Sequence, residues 1–259
     1  MKNPIIFKFK QHLRKPLNIL MVSTVDDEMA LSEHIEEFSQ RLVLCLGSFI
    51  LGTLSCFINV QSIVRVFQAP AIGVKFLQFA PGEYFFASFK IALFSGLLIC
   101  SPLIIYQILL YLIPGLTKTE RDIILPVSIG SGVLFFLGLL FSYFFLVPAA
   151  LNFFISYGSD VVEPFWSFDQ YFDFISILLF ATGLAFQIPA IQVVIGLLGI
   201  ISGKTMLSSW KYVVVVSTIL AAVITPSTDP VTQILMSSAL LTLYLGGSGL
   251  VILLKKEVL

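Results

Sequence analysis

The sequence predicts an all-helical integral membrane protein, and three observations carry that prediction. Hydrophobic residues make up 58% of the 259 residues and charged residues only 12%, about half the charge of a soluble domain. Mean hydropathy is +0.99. The apolar residues gather into runs at about 42–62, 86–111, 123–147, 171–198, 210–224 and 231–254. The expected architecture is six transmembrane helices, several bent by proline, forming a cupped bundle with both termini on the cytoplasmic or stromal side. Residues 1–30 read as a basic extension, 31–254 as the membrane domain and 255–259 as a short tail.

The extension carries Lys2, Lys8, Lys10, Arg14 and Lys15 with no acid before Asp26. It lacks the long apolar stretch and small-residue cleavage site of a secretory signal. A transit peptide, a cytoplasmic or stromal tail, and translation from Met29 all remain open readings. In residues 30–42, Leu31, Ile35, Phe38 and Leu42 recur at helical spacing, with Glu33, Glu36, Glu37 and Gln40 on the other side. Ser32 stands where an N-cap would. The pattern predicts an amphipathic helix lying along the membrane surface and leading into the first span. Its carboxylates call for a cationic partner.

The first four runs are near or above the ~20 residues a bilayer needs. The fifth is not: its fifteen residues, 210–224, at ~1.5 Å each give about 22 Å against a hydrocarbon core of about 30 Å. The sixth is interrupted by Gly246-Gly247-Ser248-Gly249 and is expected to be effectively short as well. Pro102, Pro126, Pro148 and Pro189 fall in or beside spans, where each removes a backbone hydrogen bond and bends its helix. Pro226 and Pro230 bracket a tight turn.

Orientation follows from Lys and Arg. With six spans, the termini and the second and fourth loops share one side. That side holds Lys2, Lys8, Lys10, Arg14, Lys15, Arg41, Lys118, Arg121, Lys204, Lys211, Lys255 and Lys256, leaving Arg65, Lys75 and Lys90 for the other. The positive-inside rule then puts both termini in the cytoplasm or its equivalent.

Zero net charge argues against a nucleic-acid partner. No Walker loop, dinucleotide fingerprint, HExxH or GxSxG occurs, so no enzymatic role is expected. Cys45, Cys56 and Cys100 sit in apolar runs without paired spacing and read as small buried hydrophobes. Neither a metal nor a cofactor is expected. What remains is a handful of polar groups. Glu37 stands four residues before Arg41, ordinarily an i,i+4 pair, and Glu120 with Arg121 falls in the second loop. Together Glu37 and Glu120 offer two carboxylates at one interface, and guanidinium groups bind carboxylates bidentately. Gln187, beside Pro189, either bonds a neighbouring helix or lines a hydrated concavity that touches substrate. Glu83, after Pro81, and Asp229 fall on the far side as turn residues.

Several of these residues lie in motifs that resemble a known family. His34-Ile35-Glu36-Glu37-Phe38-Ser39-Gln40-Arg41-Leu42 is similar to the His-Leu-x-Glu-Leu-Arg-x-Arg-Leu of TatC, the polytopic core of the twin-arginine protein translocase. Further matches are Ala80-Pro81-Gly82-Glu83-Tyr84-Phe85 with Lys90, Ser101-Pro102 with Tyr106-Gln107, Pro114-Gly115-Leu116 with Glu120-Arg121, Phe186-Gln187-Ile188-Pro189, and Thr225-Pro226-Ser227-Thr228-Asp229-Pro230-Val231-Thr232-Gln233. The resemblance spans about residues 31 to 245 and is closest to the plastid and cyanobacterial branch. Ser39 replaces an arginine of the family motif. Gln187 stands where many bacterial members have glutamate, so a carboxylate-dependent step there is not expected.

The resemblance implies a receptor for signal peptides bearing consecutive arginines on folded cargo, with transport driven by the proton-motive force. It assigns Glu37 and Glu120 to the signal arginines, with Arg41 and Arg121 beside them, and puts the signal's apolar stretch in the cupped interior near Gln187. It assigns Pro81, Glu83 and Asp229 to luminal-side motifs. It also implies single-span TatA/TatB-type partners, homo-oligomerisation within a receptor complex, and a thylakoid membrane, with a bacterial plasma membrane or cyanobacterial membrane as the alternative. The competing class is a secondary transporter or channel for small solutes. It would need intramembrane ionisable groups or repeated broken helices, and the spans carry almost none.

Overall fold

The computed structural model describes residues 31–72, 74–111, 118–157, 165–225 and 229–258, and the side chains of these except at 31–34, 118–125 and 255–258. The basic extension therefore lies outside the described residues, as do Pro114-Gly115-Leu116 and the turn at Pro226. The chain runs through α1 (Leu31–Ile58), α2 (Val60–Gln68), β1 (Lys75–Leu77), α3 (Glu83–Tyr111), α4 (Lys118–Phe141), a π-helical turn (Ser142–Leu146) and α5 (Val147–Tyr157). It continues with β2 (Phe165–Ser167), α6 (Phe168–Ala185), α7 (Ile188–Leu197), α8 (Gly203–Ser208), α9 (Trp210–Ile224) and α10 (Pro230–Val258).

Among the described residues, five helical stretches are long and apolar enough to cross a membrane: Ile35–Ile58, Glu83–Tyr111, Pro126–Tyr157, Phe168–Leu197 and Pro230–Leu254. The fifth predicted run is α9, with the short length that the sequence implies. The prolines act locally. Pro148 has no amide hydrogen for the Phe144 carbonyl and its ring crowds that carbonyl, and the backbone there widens into the π turn. Pro189 lies in the first turn of α7, just after the chain turns at Phe186 and Gln187. Pro102 and Pro126 sit inside α3 and α4 without ending either helix.

Three expectations need correction. The segment 30–42 is not a separate surface helix. From Leu31 onward it belongs to the unbroken α1, Ser32 lies inside that helix, and Glu37 and Arg41 turn toward α3 while Ile35 and Glu36 are exposed. The glycines at 246, 247 and 249 do not interrupt the last span. They lie within the continuous α10, where Gly247 lets Gln192 and Pro189 approach and a Cβ would meet the Gln192 Oε1 at 2.1 Å. Finally, the sequence shows no strand signal, yet β1 and β2 pair in parallel, Phe76 opposite Trp166.

The core is concentrated at the end of the bundle that carries this strand pair. Ala87 and Ile91 of α3, Leu146, Val147, Phe172 and Ile175, and Met236 and Leu240 of α10 are all buried there. Lys90 clamps α3 to α6 at the same end, its Nζ lying 2.9 Å from Asp169 and 3.1 Å from Asp173. Beyond the core, contact between helices depends on small residues. A Cβ on Gly96 would stand 2.7 Å from the Thr53 backbone nitrogen, so α1 and α3 cross in close contact. Gly96→Val is therefore expected to lower stability by about 1–3 kcal/mol through overpacking. Gly47→Ala, in open space on the same helix pair, should leave the melting temperature in detergent unchanged or slightly raised.

Candidate functional site

The site is built by the antiparallel pairing of α1 and α3. Contacts follow one another along the two helices: the Phe57 and Phe89 rings 6.4 Å apart, Gly52 against Gly96 and Cys100, and the Cys100 thiol donating to the Ser48 carbonyl at 3.1 Å. This register carries Arg41 to Gln107 and Phe38 to Tyr111, whose rings lie 5.6 Å apart, at the end of the bundle opposite the strand pair.

There the Arg41 guanidinium donates through Nε and Nη2 to one oxygen, Oε1, of Glu37 at 2.9 and 2.5 Å. Through Nη1 it donates to the Gln107 Oε1 at 2.8 Å. The side chains of Arg41 and Glu37 are only 15% and 21% exposed, so a full charge pair sits half out of water and is strengthened by the lower dielectric. Gln107 is 2% exposed, and its Nε2 has no acceptor among the described residues. Glu36, outside this triad, is exposed and accepts from Gln40 at 3.2 Å. The i,i+4 pair read from the sequence is thus one half of an interhelical relay.

Glu120 and Arg121 stand in the first turn of α4, which begins at Lys118, seven residues after α3 ends at Tyr111. The connectivity brings them to the same end of the bundle as Glu37, while their side chains lie outside the described residues. Gln187 is buried and bonded to α4: Ser131 Oγ donates to its Oε1, and its Nε2 donates to the Ser131 carbonyl at 3.1 Å. This is the interhelical role expected of a membrane amide. At the far end, Pro81 is exposed, and Gly82 takes a positive φ of 82° that a side chain would strain. Glu83 accepts from the Phe79 amide at 2.6 Å and from Ser167 at 3.0 Å, tying the start of α3 to β2. Asp229, fully buried, caps α10 by accepting from the Thr232 amide at 2.8 Å, with Pro230 in the first helical position. Among the described residues no cluster of His, Cys, Asp or Glu is arranged to hold a metal.

Sequence reasoning gave no role to Gln107. Its signal was visible: a carboxamide within an otherwise apolar span needs a partner. Gln107→Leu would leave the Arg41 Nη1 without its acceptor, with Nε and Nη2 still on Glu37. The expected cost is about 1.5–3 kcal/mol, as for hydrogen bonds to charged groups, read as a lower melting temperature in detergent.

Comparison with known proteins follows this geometry. Residues 33–238 match the family described as Sec-independent protein translocase protein (TatC). The Sec-independent protein translocase protein TatC of Synechocystis is 54% identical over 231 residues, which cover 89% of this chain and 91% of that protein. A tatC-like protein of Guillardia theta, ycf43, is 59% identical over 231 residues, covering 89% of this chain and 80% of that one. The chloroplastic TATC of Pisum sativum is 51% identical, with 87% of this chain and 65% of that one covered. A crystal structure of the twin-arginine translocase receptor TatC superposes with a TM-score of 0.71 at 32% identity, covering 84% of this chain and 99% of that chain. The chain belongs to the TatC family.

Proposed function

We propose that this protein is the receptor core of a twin-arginine translocase, and that Glu37 and Glu120 hold the paired arginines of a signal peptide. The observation that carries this reading is the Glu37–Arg41–Gln107 relay, a half-buried carboxylate fixed by its own arginine at the end of the bundle where α4 begins with Glu120. Arg41 uses Nε and Nη2 on Glu37 and is held from behind by Gln107. An arriving guanidinium therefore meets a carboxylate already oriented, at less cost in side-chain entropy. Arg121 lies beside Glu120 and limits the net negative charge of the site.

The same reading assigns six passes, with α9 as the fifth, and both termini on the stromal or cytoplasmic side by the positive-inside rule. Residues 1–30 then form a basic extension on that side. TatA/TatB-type single-span subunits and further copies of this chain are the partners, and the proton-motive force drives transport of folded cargo. A thylakoid or cyanobacterial membrane fits the branch to which the Pisum and Synechocystis relatives belong. The signal's apolar stretch enters the bundle beside Gln187, with lipid around the remaining surface.

Binding of a fluorescent twin-arginine peptide to the purified protein tests the assignment. Glu37→Gln or Glu120→Gln should each weaken binding tenfold or more, since a charge-assisted contact is worth about 1.5–3 kcal/mol. A peptide with one arginine changed to lysine should lose more than charge conservation implies, because an ammonium cannot make the forked contact. Unchanged affinity in the double variant would refute the roles given to both acids. Lengthening α9 by two apolar turns tests whether its shortness serves transport: export of folded cargo should fall, and undiminished export would sink that idea.

A further inference from the structure

At the end of the bundle opposite the Glu37 relay, two basic side chains have no partner among the described residues. The helix α2 lies with Val64 and Phe67 buried against the start of α6: the Phe67 and Phe172 rings are 5.8 Å apart, and the Tyr171 hydroxyl donates to the Phe67 carbonyl at 2.7 Å. Tyr143 donates likewise to the Val66 carbonyl at 2.7 Å. The strand β1 covers the same aromatic patch, the Phe76 ring 4.7 Å from that of Tyr171. α2 and β1 thus share one support, the Phe67 carbonyl and the Phe76 ring both meeting Tyr171. Arg65 is exposed on α2 and Lys75 on β1, and among the described residues neither has a hydrogen-bond or ion-pair partner. Lys90, at the same end, is matched by two aspartates.

The apolar surroundings set these two cations apart. In the connector around β1, Ile72 is 86% exposed and Phe79 is 70% exposed. A water-facing surface has no use for two such side chains in one short connector, and a surface facing only hydrocarbon excludes free Arg and Lys. Cations beside apolar side chains at the ends of membrane helices suit the headgroup layer, where bases bind anionic lipid and apolar groups enter the acyl boundary. We propose that Arg65 and Lys75 form a binding site for an anionic lipid headgroup, with Ile72 and Phe79 seated in the acyl region beneath it.

The test uses the full chain purified in detergent, with short-chain phosphatidylglycerol or phosphatidylcholine added and lipid retention read by native mass spectrometry. The wild type should retain phosphatidylglycerol preferentially, and less of it as salt is raised. Arg65→Gln and Lys75→Gln should each weaken retention roughly fivefold, and together about 25-fold. Lys204→Gln, on α8 at the opposite end, should have no effect. Both substituted residues are exposed, so the melting temperature should hold. Equal retention of the two lipids by the wild type, undiminished phosphatidylglycerol retention by the double variant, or displacement of the lipid by an equal concentration of inorganic phosphate would each overturn the proposal.

Discussion

The close crossing of α1 and α3 is the constraint on which the rest depends. Only 6% of the membrane-length window of α1 is buried, so this helix is held almost entirely by its partner. In such a setting the hydrophobic effect supplies little, because lipid is as apolar as the helix surface. Close backbone approach and dispersion must do the work. Gly52 and Gly96 permit that approach, and the aromatic pairs on either side lengthen it. A helix so anchored places Glu37 and Arg41 opposite Gln107. Were the register to shift by a single residue, α1 would rotate by about 100° and break the relay.

The distribution of the core complements this arrangement. At the strand-bearing end, helices are locked by buried apolar packing, by the Lys90 clamp, by Glu83 reaching to Ser167 and by the Asp229 cap. Toward the other end of α3 the packed cluster dwindles to Leu110 with Tyr106 and Leu109. Val193, Met206 and Val251 pack α7, α8 and the end of α10 together separately, so the sparse filling is confined to the α1–α3 side, where an incoming segment can be admitted without moving the groups that carry stability. The peptide-binding reading and the stability of the molecule thus draw on different parts of the bundle.

The spans were legible because membrane helices announce themselves by length and hydropathy, and the short α9 has the bounds read from the sequence. Contacts between helices were not legible. The Arg41–Gln107 bond joins residues 66 apart, and periodicity within one segment carries no information about its partner. Residues 30–42 misled for a related reason. Their stripe of Leu31, Ile35, Phe38 and Leu42 fits a helix lying on a membrane, but it fits equally the start of a transmembrane helix that turns Glu37 and Arg41 to α3. The glycines of α10 misled because glycine weakens helices in water, whereas in a membrane the helical hydrogen bonds have no competitor and glycine serves close packing. The parallel strand pair of three residues each is too short to leave a period.

On the proposed six-pass reading, that close packing also determines where the bilayer yields. α10 is held straight against α7 and α8, with Gly247 beneath Gln192, Gly196 against Val251 and Gly203 against Ile252, and with the Gln192 amide bonded to the Ser248 hydroxyl at 3.0 Å. It is 29 residues long and spans the hydrocarbon with length to spare. α9 leans on α10 and buries only Ser217 and Ala221. On the proposed reading of α9 as the fifth pass, fifteen residues beside a full-length helix leave a deficit of about 8 Å against the hydrocarbon core. The rigid neighbour cannot shorten to match, so the deficit falls on the lipid that touches Val215, Ile219 and Val223, the exposed face of α9. Mismatch costs fractions of a kcal/mol per Å, too little to unfold the helix and enough to thin the membrane along one side of the molecule.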